Sequence, residues 1–371
     1  MRIEKIVVRK LKMDYRFPFE TSFARTTDRE FLIIEAYSEG LVGYGECVVS
    51  ADPYYSEETV GTASHIIEEF LVPLVFSKDQ IPHPDDINKD FSRIRRNNMA
   101  KSAIEGALWD LYAKKKNITL TEAVGGKKSK IEVGVSIGIQ ESLEELFAQV
   151  QDSLDKGFNK IKMKIKPGKD IEMLRAVREK FGDIPLMADA NSAYTLDDID
   201  LFKEMDSLNL MMIEQPLAHD DIIKHATLQK AITTPICLDE SIHSLEDAQN
   251  AIELGSCKII NIKIGRVGGI SEAIKIHDYC KEKNIPVWCG GMLESGVGRA
   301  HNIAITTLEN FTIPGDTAPS SRYWHKDIIT PEVVMDEEGY IHVPEQAGIG
   351  FDIDQEALDK VTVDIKTYTN K

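Results

Sequence analysis

The chain has 371 residues, 42% of them hydrophobic, and its 61 acidic and 44 basic side chains give a formal charge of −17. That apolar fraction supplies a large core and excludes whole-chain disorder, and the acidic balance disfavours nonspecific binding to nucleic acid or anionic lipid. The longest run without Asp, Glu, Lys or Arg, Asn284–Leu293, is about half of what a membrane span needs. Five scattered cysteines without a CxxC pair, and no apolar leader at the N-terminus, fit a reduced, cytoplasmic protein.

Residues 1–125 open with strand-like alternation, then Phe31–Tyr37 and Gly43–Val48 around Glu39-Gly40, the pattern of a hairpin. A helix follows, marked by the stripe Ala100, Ala103, Ile104, Ala107, Leu108, Leu111 and Tyr112. This zone reads as α+β, and Gly125-Gly126 with the basic cluster Lys127–Lys130 marks its end.

Over 126–316 the rhythm changes to short apolar strands alternating with amphipathic helices. The strands are expected at Ile131–Ile139, Ile161–Ile165, Pro185–Ala190, Met211–Glu214, Ile236–Asp239, Ile259–Ile264, Val287–Cys289 and Phe311–Pro314. Eight βα repeats are the count of a closed (β/α) barrel of TIM type. A doubly wound sheet is the competing arrangement, but no GxGxxG follows the first strand, and Gly265–Gly269 comes after the sixth with the wrong spacing. From about Thr317 the pattern breaks up, and residues 317–371 are expected to return to the first domain.

The informative feature is a ladder of charges. Lys164, Asp189, Glu214, Asp239 and Lys263 follow one another at 25, 25, 25 and 24 residues, each at the end of an expected strand. Parallel barrel strands deliver their C-terminal ends to one face, so one βα repeat brings all five to a single mouth. Three converging carboxylates repel strongly at low dielectric, and a divalent cation resolves the repulsion. All-oxygen donors without a neighbouring His or Cys point to Mg²⁺, with Mn²⁺ as the alternative. The bland reading is three unrelated strand-end acids capping helices or pairing with lysines.

Period-two alternation puts Lys162 and Lys164 on one face of their strand, with Lys263 four strands away. Two amines facing each other over a cation suit acid/base work on opposite faces of one substrate. The cation, and Arg266 three residues after Lys263, would lower the amine pKa towards the range of a general base. A Schiff-base aldolase also carries a barrel lysine, but it has no need of three ligating acids.

These residues resemble the enolase superfamily in its muconate-lactonising subgroup, over essentially the whole chain. The resemblance rests on Ala107-Leu108-Trp109-Asp110, Lys162-Met163-Lys164, Asp189-Ala190-Asn191, Glu214-Gln215-Pro216, Asp239-Glu240-Ser241 and Lys263. It implies that Asp189, Glu214 and Asp239 hold Mg²⁺, that Lys164 and Lys263 flank the α-carbon of a small carboxylate substrate, and that residues 1–125 cap the barrel. It also implies mobile lids at 17–25, with Phe19 and Phe23, and at 47–54. No His replaces Lys263 or Gly290-Gly291 at the sixth and seventh strand ends, which favours the lysine-pair subgroup over relatives with a His base.

Substrate contacts are expected from Lys162, Asn191, Arg266, Gly291, Met292 and Phe19, and from Ser136, a residue type that on a strand also serves simply as packing. Asp316 has Pro314 and Ala318 two positions away, so the Asp-x-Asp amine clamp of dipeptide epimerases is absent. Gly315–Ala318 and Ser320–Tyr323 are similar to the o-succinylbenzoate synthase and N-succinylamino acid racemase family. That likeness implies a Mg²⁺-dependent syn-dehydration for menaquinone synthesis, a racemisation, or both, with the synthase favoured. A muconate or chloromuconate cycloisomerase and a catalytically silent metal-binding barrel remain the other readings. Expected partners are a small-molecule carboxylate and further copies of the chain, with no nucleic acid or membrane.

Overall fold

The structure, a computed structural model, describes residues 1–20 and 25–370, with the side chains of residues 19, 20 and 25 outside the description. The chain begins as a meander of three antiparallel strands, β1 (Lys5–Glu20), β2 (Arg25–Ser38) and β3 (Leu41–Cys47). The β2–β3 turn falls at Glu39-Gly40, both at positive φ (52° and 80°), as a tight hairpin requires. Alternation sends Leu32, Ile34 and Ala36 into an apolar cluster with Ala100, Ala103, Ala107, Leu108 and Leu111 of α1 (Asn98–Lys116). β3 lies almost on the α1 backbone. A Cβ on Gly43 or Gly45 would stand 2.1 Å from the Ala107 carbonyl oxygen or 2.0 Å from that of Ala103, so no larger residue fits.

Seven parallel strands follow: β4 (Gly134–Ile137), β5 (Lys160–Lys164), β6 (Leu186–Asp189), β7 (Ile213–Glu214), β8 (Ile236–Leu238), β9 (Ile259–Ile262) and β10 (Val287–Cys289). Their spatial order is their chain order, so each βα unit sets its strand beside the last and the sheet curls. Helices α2 (Leu143–Asp155), α3 (Ile171–Phe181), α4 (Ile199–Met205), α5 (Ile223–Ala231), α6 (Leu245–Leu254), α7 (Ile270–Glu282) and α8 (Gly296–Thr306) come between or after them.

Two expected strands differ. Ile131–Ile139 divides, because Lys130–Glu132 pairs antiparallel with Tyr340–His342 of the tail and only Gly134–Ile137 joins the parallel sheet. Phe311–Pro314 is not a regular strand; Pro314 has no N–H to give to a ladder. The segment touches both sheet edges through isolated bridges, Phe311 to Val287 and Gly315 to Val133. The Gly134 N–H donates to the Gly315 carbonyl at 2.7 Å and the Asp316 N–H to that of Cys289 at 2.9 Å.

The tail ends in β11 (Thr362–Thr369), which pairs antiparallel with β1 and gives a four-stranded sheet in the order β11-β1-β2-β3. No described helix is long and apolar enough to cross a membrane.

Candidate active site

In β5 the alternation turns Ile161 and Met163 to the hydrophobic core and Lys160, Lys162 and Lys164 to the concave face. The next two strands end in Asp189 and Glu214, Asp239 directly follows β8, all three buried, and Lys263 directly follows β9. The ladder therefore converges as the repeat predicts. Lys164 Nζ lies 2.6 Å from Asp189 Oδ2 and 2.7 Å from Asn191 Oδ1. Lys263 Nζ lies 2.8 Å from Asp239 Oδ2, and the Arg266 guanidinium holds the other oxygen of Asp239. Lys162 Nζ reaches Asp316 at 2.6 Å, Glu214 at 3.2 Å and Asp189 at 3.3 Å.

Burial pushes the Glu214 carboxyl up to about 8, and the neighbouring Asp189 and Asp239 charges push the same way. Burial also raises Glu240, to about 7, again with Asp239 and Asp189 adding to it. Asp239 moves in the opposite sense: burial works against its ionised form, but Arg266 and Lys263 outweigh that and hold it far below the usual carboxylate range. For Lys263 the expected downward push of Arg266 is present. Burial and Arg266 do push it down, but the adjacent Asp239 charge outweighs both and raises it. Among the described residues, no three His, Cys, Asp or Glu side chains stand at metal-holding spacing, and ammonium and guanidinium groups contact the oxygens of Asp189, Glu214 and Asp239.

Beside these groups lies a cavity of about 380 Å³, which Asp189, Glu214 and Asp239 adjoin through their lysine partners without lining it. Lys162, Lys164, Asn191, Lys263, Ser136, Gly291 and Met292 all line it, so the structure brings together the expected lysines and most expected substrate contacts. The Ser136 hydroxyl is buried and has no hydrogen-bond partner among the described residues. Arg266 does not line the cavity; it sits behind Asp239, donating to the Ile242 and Asn261 carbonyls, each at 2.9 Å. Of the expected 17–25 lid, residues 17–20 end β1 and Arg25 begins β2, with Phe19 opposite Thr26; residues 21–24 lie outside the described residues. Phe23 and the side chain of Phe19 lie outside the described residues.

Several residues escaped the sequence reading. Tyr55, just past the expected 47–54 flap, accepts from Lys263 Nζ at 2.6 Å and lines the cavity. Glu240 accepts from Asn191 at 2.9 Å. Gln215, fully buried, accepts from the Asp239 N–H at 2.9 Å and ties the ends of β7 and β8 together. Lys160 lies 3.1 Å from Asp316 and 3.5 Å over the Trp288 ring. Lys160 left a signal as the third lysine of the alternation, and Gln215 and Glu240 left one inside the motifs Glu214-Gln215-Pro216 and Asp239-Glu240-Ser241.

An antiparallel sheet and helix set against a curled parallel sheet, with acids and lysines at the strand ends, define a capped α/β fold with its polar site at the strand C-termini. Residues 2–125 match the mandelate racemase / muconate lactonizing enzyme N-terminal domain, and 145–357 match the enolase C-terminal domain-like family. The chain belongs to the enolase superfamily, in its mandelate racemase and muconate-lactonising branch. It is 55% identical to an o-succinylbenzoate synthase of Geobacillus kaustophilus, covering 99% of this chain and 98% of that one. It is 45% identical to an N-succinylamino acid racemase of Thermus thermophilus, covering 98% of each. A solved structure of an enolase superfamily member from Listeria innocua superposes with a TM-score of 0.97 at 44% identity over the full length of both chains.

Proposed function

We propose that the protein is an o-succinylbenzoate synthase that uses a divalent cation, Mg²⁺, and also racemises N-succinylamino acids. The observation that carries the reading is the pair Lys164 and Lys263, placed four strands apart on the sheet and lining one cavity beside Asp189, Glu214 and Asp239. The full-length likeness to a synthase at 55% and a racemase at 45% identity supports both reactions.

The fit of a cation follows from the donor set. Three buried carboxylates on adjacent strands are all-oxygen and mutually repelling, and Glu214 is pushed up to about 8. In this reading Asp189, Glu214 and Asp239 hold Mg²⁺, which when bound supplies positive charge to the substrate carboxylate. The Lys164 amine takes the α-proton, and the C–H electron pair moves towards the carboxylate to give an enediolate. The same lysine returns that proton to the departing β-hydroxyl, which leaves as water from the same face, and the ring becomes aromatic. Lys162 and Lys263 keep positive charge beside the enediolate. In racemisation Lys164 and Lys263 serve opposite faces, each as base for one enantiomer and acid for the other.

The reading further takes the curled sheet and the 311–316 segment as a closed (β/α) barrel of modified TIM type. Its domains are 1–125, 126–316 and 317–371. Five buried, unpaired cysteines support a cytoplasmic setting, and the solvent-exposed β11 with Val363 and Ile365 supports association of copies. The test is turnover of the cyclohexadiene precursor of 2-succinylbenzoate and of N-succinylamino acids, with activity lost to EDTA and restored by Mg²⁺. Activity on muconate instead would move the protein to the cycloisomerases, and turnover of none of these would leave a silent barrel.

A further inference from the structure

One wall of the cavity is the segment after β10, of which Gly291, Met292 and Leu293 line the cavity. Leu293 sits at φ +57°, a left-handed conformation that a branched side chain adopts only when its surroundings impose it. Two side chains of the first domain reach this segment. Arg29 of β2 donates through Nη1 to the Leu293 carbonyl and to Glu46 Oε1, the latter at 3.2 Å. Glu46 of β3 accepts from the Ser295 N–H at 3.1 Å, the Ser295 hydroxyl at 2.6 Å and the Gly298 N–H at 3.0 Å, all at the start of α8. Both residues are buried, at 6% and 5% exposure. The chain makes room for this approach: a Cβ on Gly298 would stand 2.9 Å from Glu46 Oε2.

A helix N-terminus whose free N–H groups are satisfied by a carboxylate of the other sheet system is fixed to that system. A loop whose strained carbonyl is bonded to the same ion pair is fixed with it. We infer that Arg29 and Glu46 form a clasp that positions the Leu293 turn, and with it the wall that receives the part of the substrate remote from the α-carbon. Arg29 and Glu46 are positioning residues: they set the shape of the pocket before substrate arrives, and the lysines do the chemistry. The link to substrate rests on the function proposed above; the link to the loop does not.

The test has one readout of each kind. Arg29→Lys keeps a positive charge opposite Glu46, but its shorter side chain and differently directed N–H groups do not reproduce the two bonds that Nη1 makes to Glu46 and the Leu293 carbonyl. Hydrogen exchange of the 292–298 amides should speed up in Arg29→Lys without substrate or Mg²⁺, whatever reaction the protein performs. In turnover of the cyclohexadiene precursor, KM should rise roughly tenfold, as for one lost charge-assisted hydrogen bond, with kcat within about threefold. Mg²⁺ affinity should stay at the parent value. Glu46→Gln, which keeps the shape and loses the ion pair, should show the same pattern more weakly, and serves if Arg29→Lys does not fold.

Glycine takes positive φ without external support, so in a Leu293→Gly background Arg29→Lys should cost at least threefold less in KM. Unchanged exchange in both variants, a fall in kcat with KM constant, or strictly additive KM effects in the cycle would each overturn the clasp. Faster exchange together with no turnover by the parent would keep the clasp and discard the proposed reaction.

Discussion

Removing the charge of Asp316 should destabilise the protein far more than removing that of Lys160, although the two are partners. Asp316 lies 3.1 Å from Lys160 Nζ and 2.6 Å from Lys162 Nζ, and exposures are 0% for Lys160, 3% for Lys162 and 7% for Asp316. Asp316→Asn leaves two buried ammonium groups without this counter-charge, and breaking a buried pair in this way costs about 3–5 kcal/mol. For a protein of this size that is a drop in Tm of roughly 4–6 °C. Lys160→Met leaves Asp316 paired with Lys162 and places an apolar chain against Trp288, so it should cost less than about 1 kcal/mol. In that background only Lys162 loses a partner to Asp316→Asn, and it keeps Glu214 and Asp189, so the penalty should fall by at least about 1 kcal/mol.

The pH dependence carries the same signature. Burial already lowers the Lys160 pKa against the pull of Asp316, and removing Asp316 depresses it further. A lysine depressed in the folded state contributes full stability above its unfolded pKa of about 10.4 and loses it as pH falls. The Asp316→Asn deficit should therefore shrink between pH 7 and 9, by up to about 1.4 kcal/mol per unit. Urea unfolding of the four proteins at three pH values measures it. An equal Asp316→Asn penalty with and without Lys160, or one independent of pH, would refute the reasoning.

Glu214→Gln copies the protonated form that burial already favours, so stability should stay within about 1 kcal/mol of the parent while Mg²⁺ affinity falls roughly tenfold or more; calorimetry showing parental affinity would remove Glu214 from the ligand set. His243 is lowered to about 4 by burial first and then by the Arg266 and Arg96 charges. A depressed His contributes stability above its unfolded pKa of about 6.5 and loses it as pH falls from there through 4. His243→Gln should then flatten the acid limb over that window by up to about 3 kcal/mol, and an unchanged limb in urea titrations would contradict this. In D₂O, Lys164→Ala and Lys263→Ala should each abolish racemisation of N-succinylamino acids while retaining α-deuteration of opposite enantiomers; retention of the same enantiomer by both would mean another residue is the second base.

The ladder was legible because a 25-residue repeat and period-two alternation are chain-local, and a parallel sheet converts them into proximity. The α1 stripe and the Glu39-Gly40 turn were legible for the same reason. The eighth strand was not: Phe311–Pro314 has the apolar composition of a strand, but Pro314 interrupts the ladder and bridges replace it. Ile131–Ile139 divided because Tyr340–His342, some two hundred residues downstream, competes for its first half. Tyr55, Arg29 and Glu46 carry no local pattern at all. They matter only through partners more than two hundred residues away. The 2.8 Å contact of Lys263 with Asp239 was out of reach because the sequence gives the residues and not their distance.

The most direct test of the proposed function is steady-state turnover of the cyclohexadiene precursor of 2-succinylbenzoate by the parent and by Lys164→Ala, both loaded with Mg²⁺. The account predicts parental kcat of about 1–10³ s⁻¹ and a loss of at least about 10²-fold in the variant, with Mg²⁺ affinity retained. No turnover by the parent, or equal turnover by the variant, would contradict it.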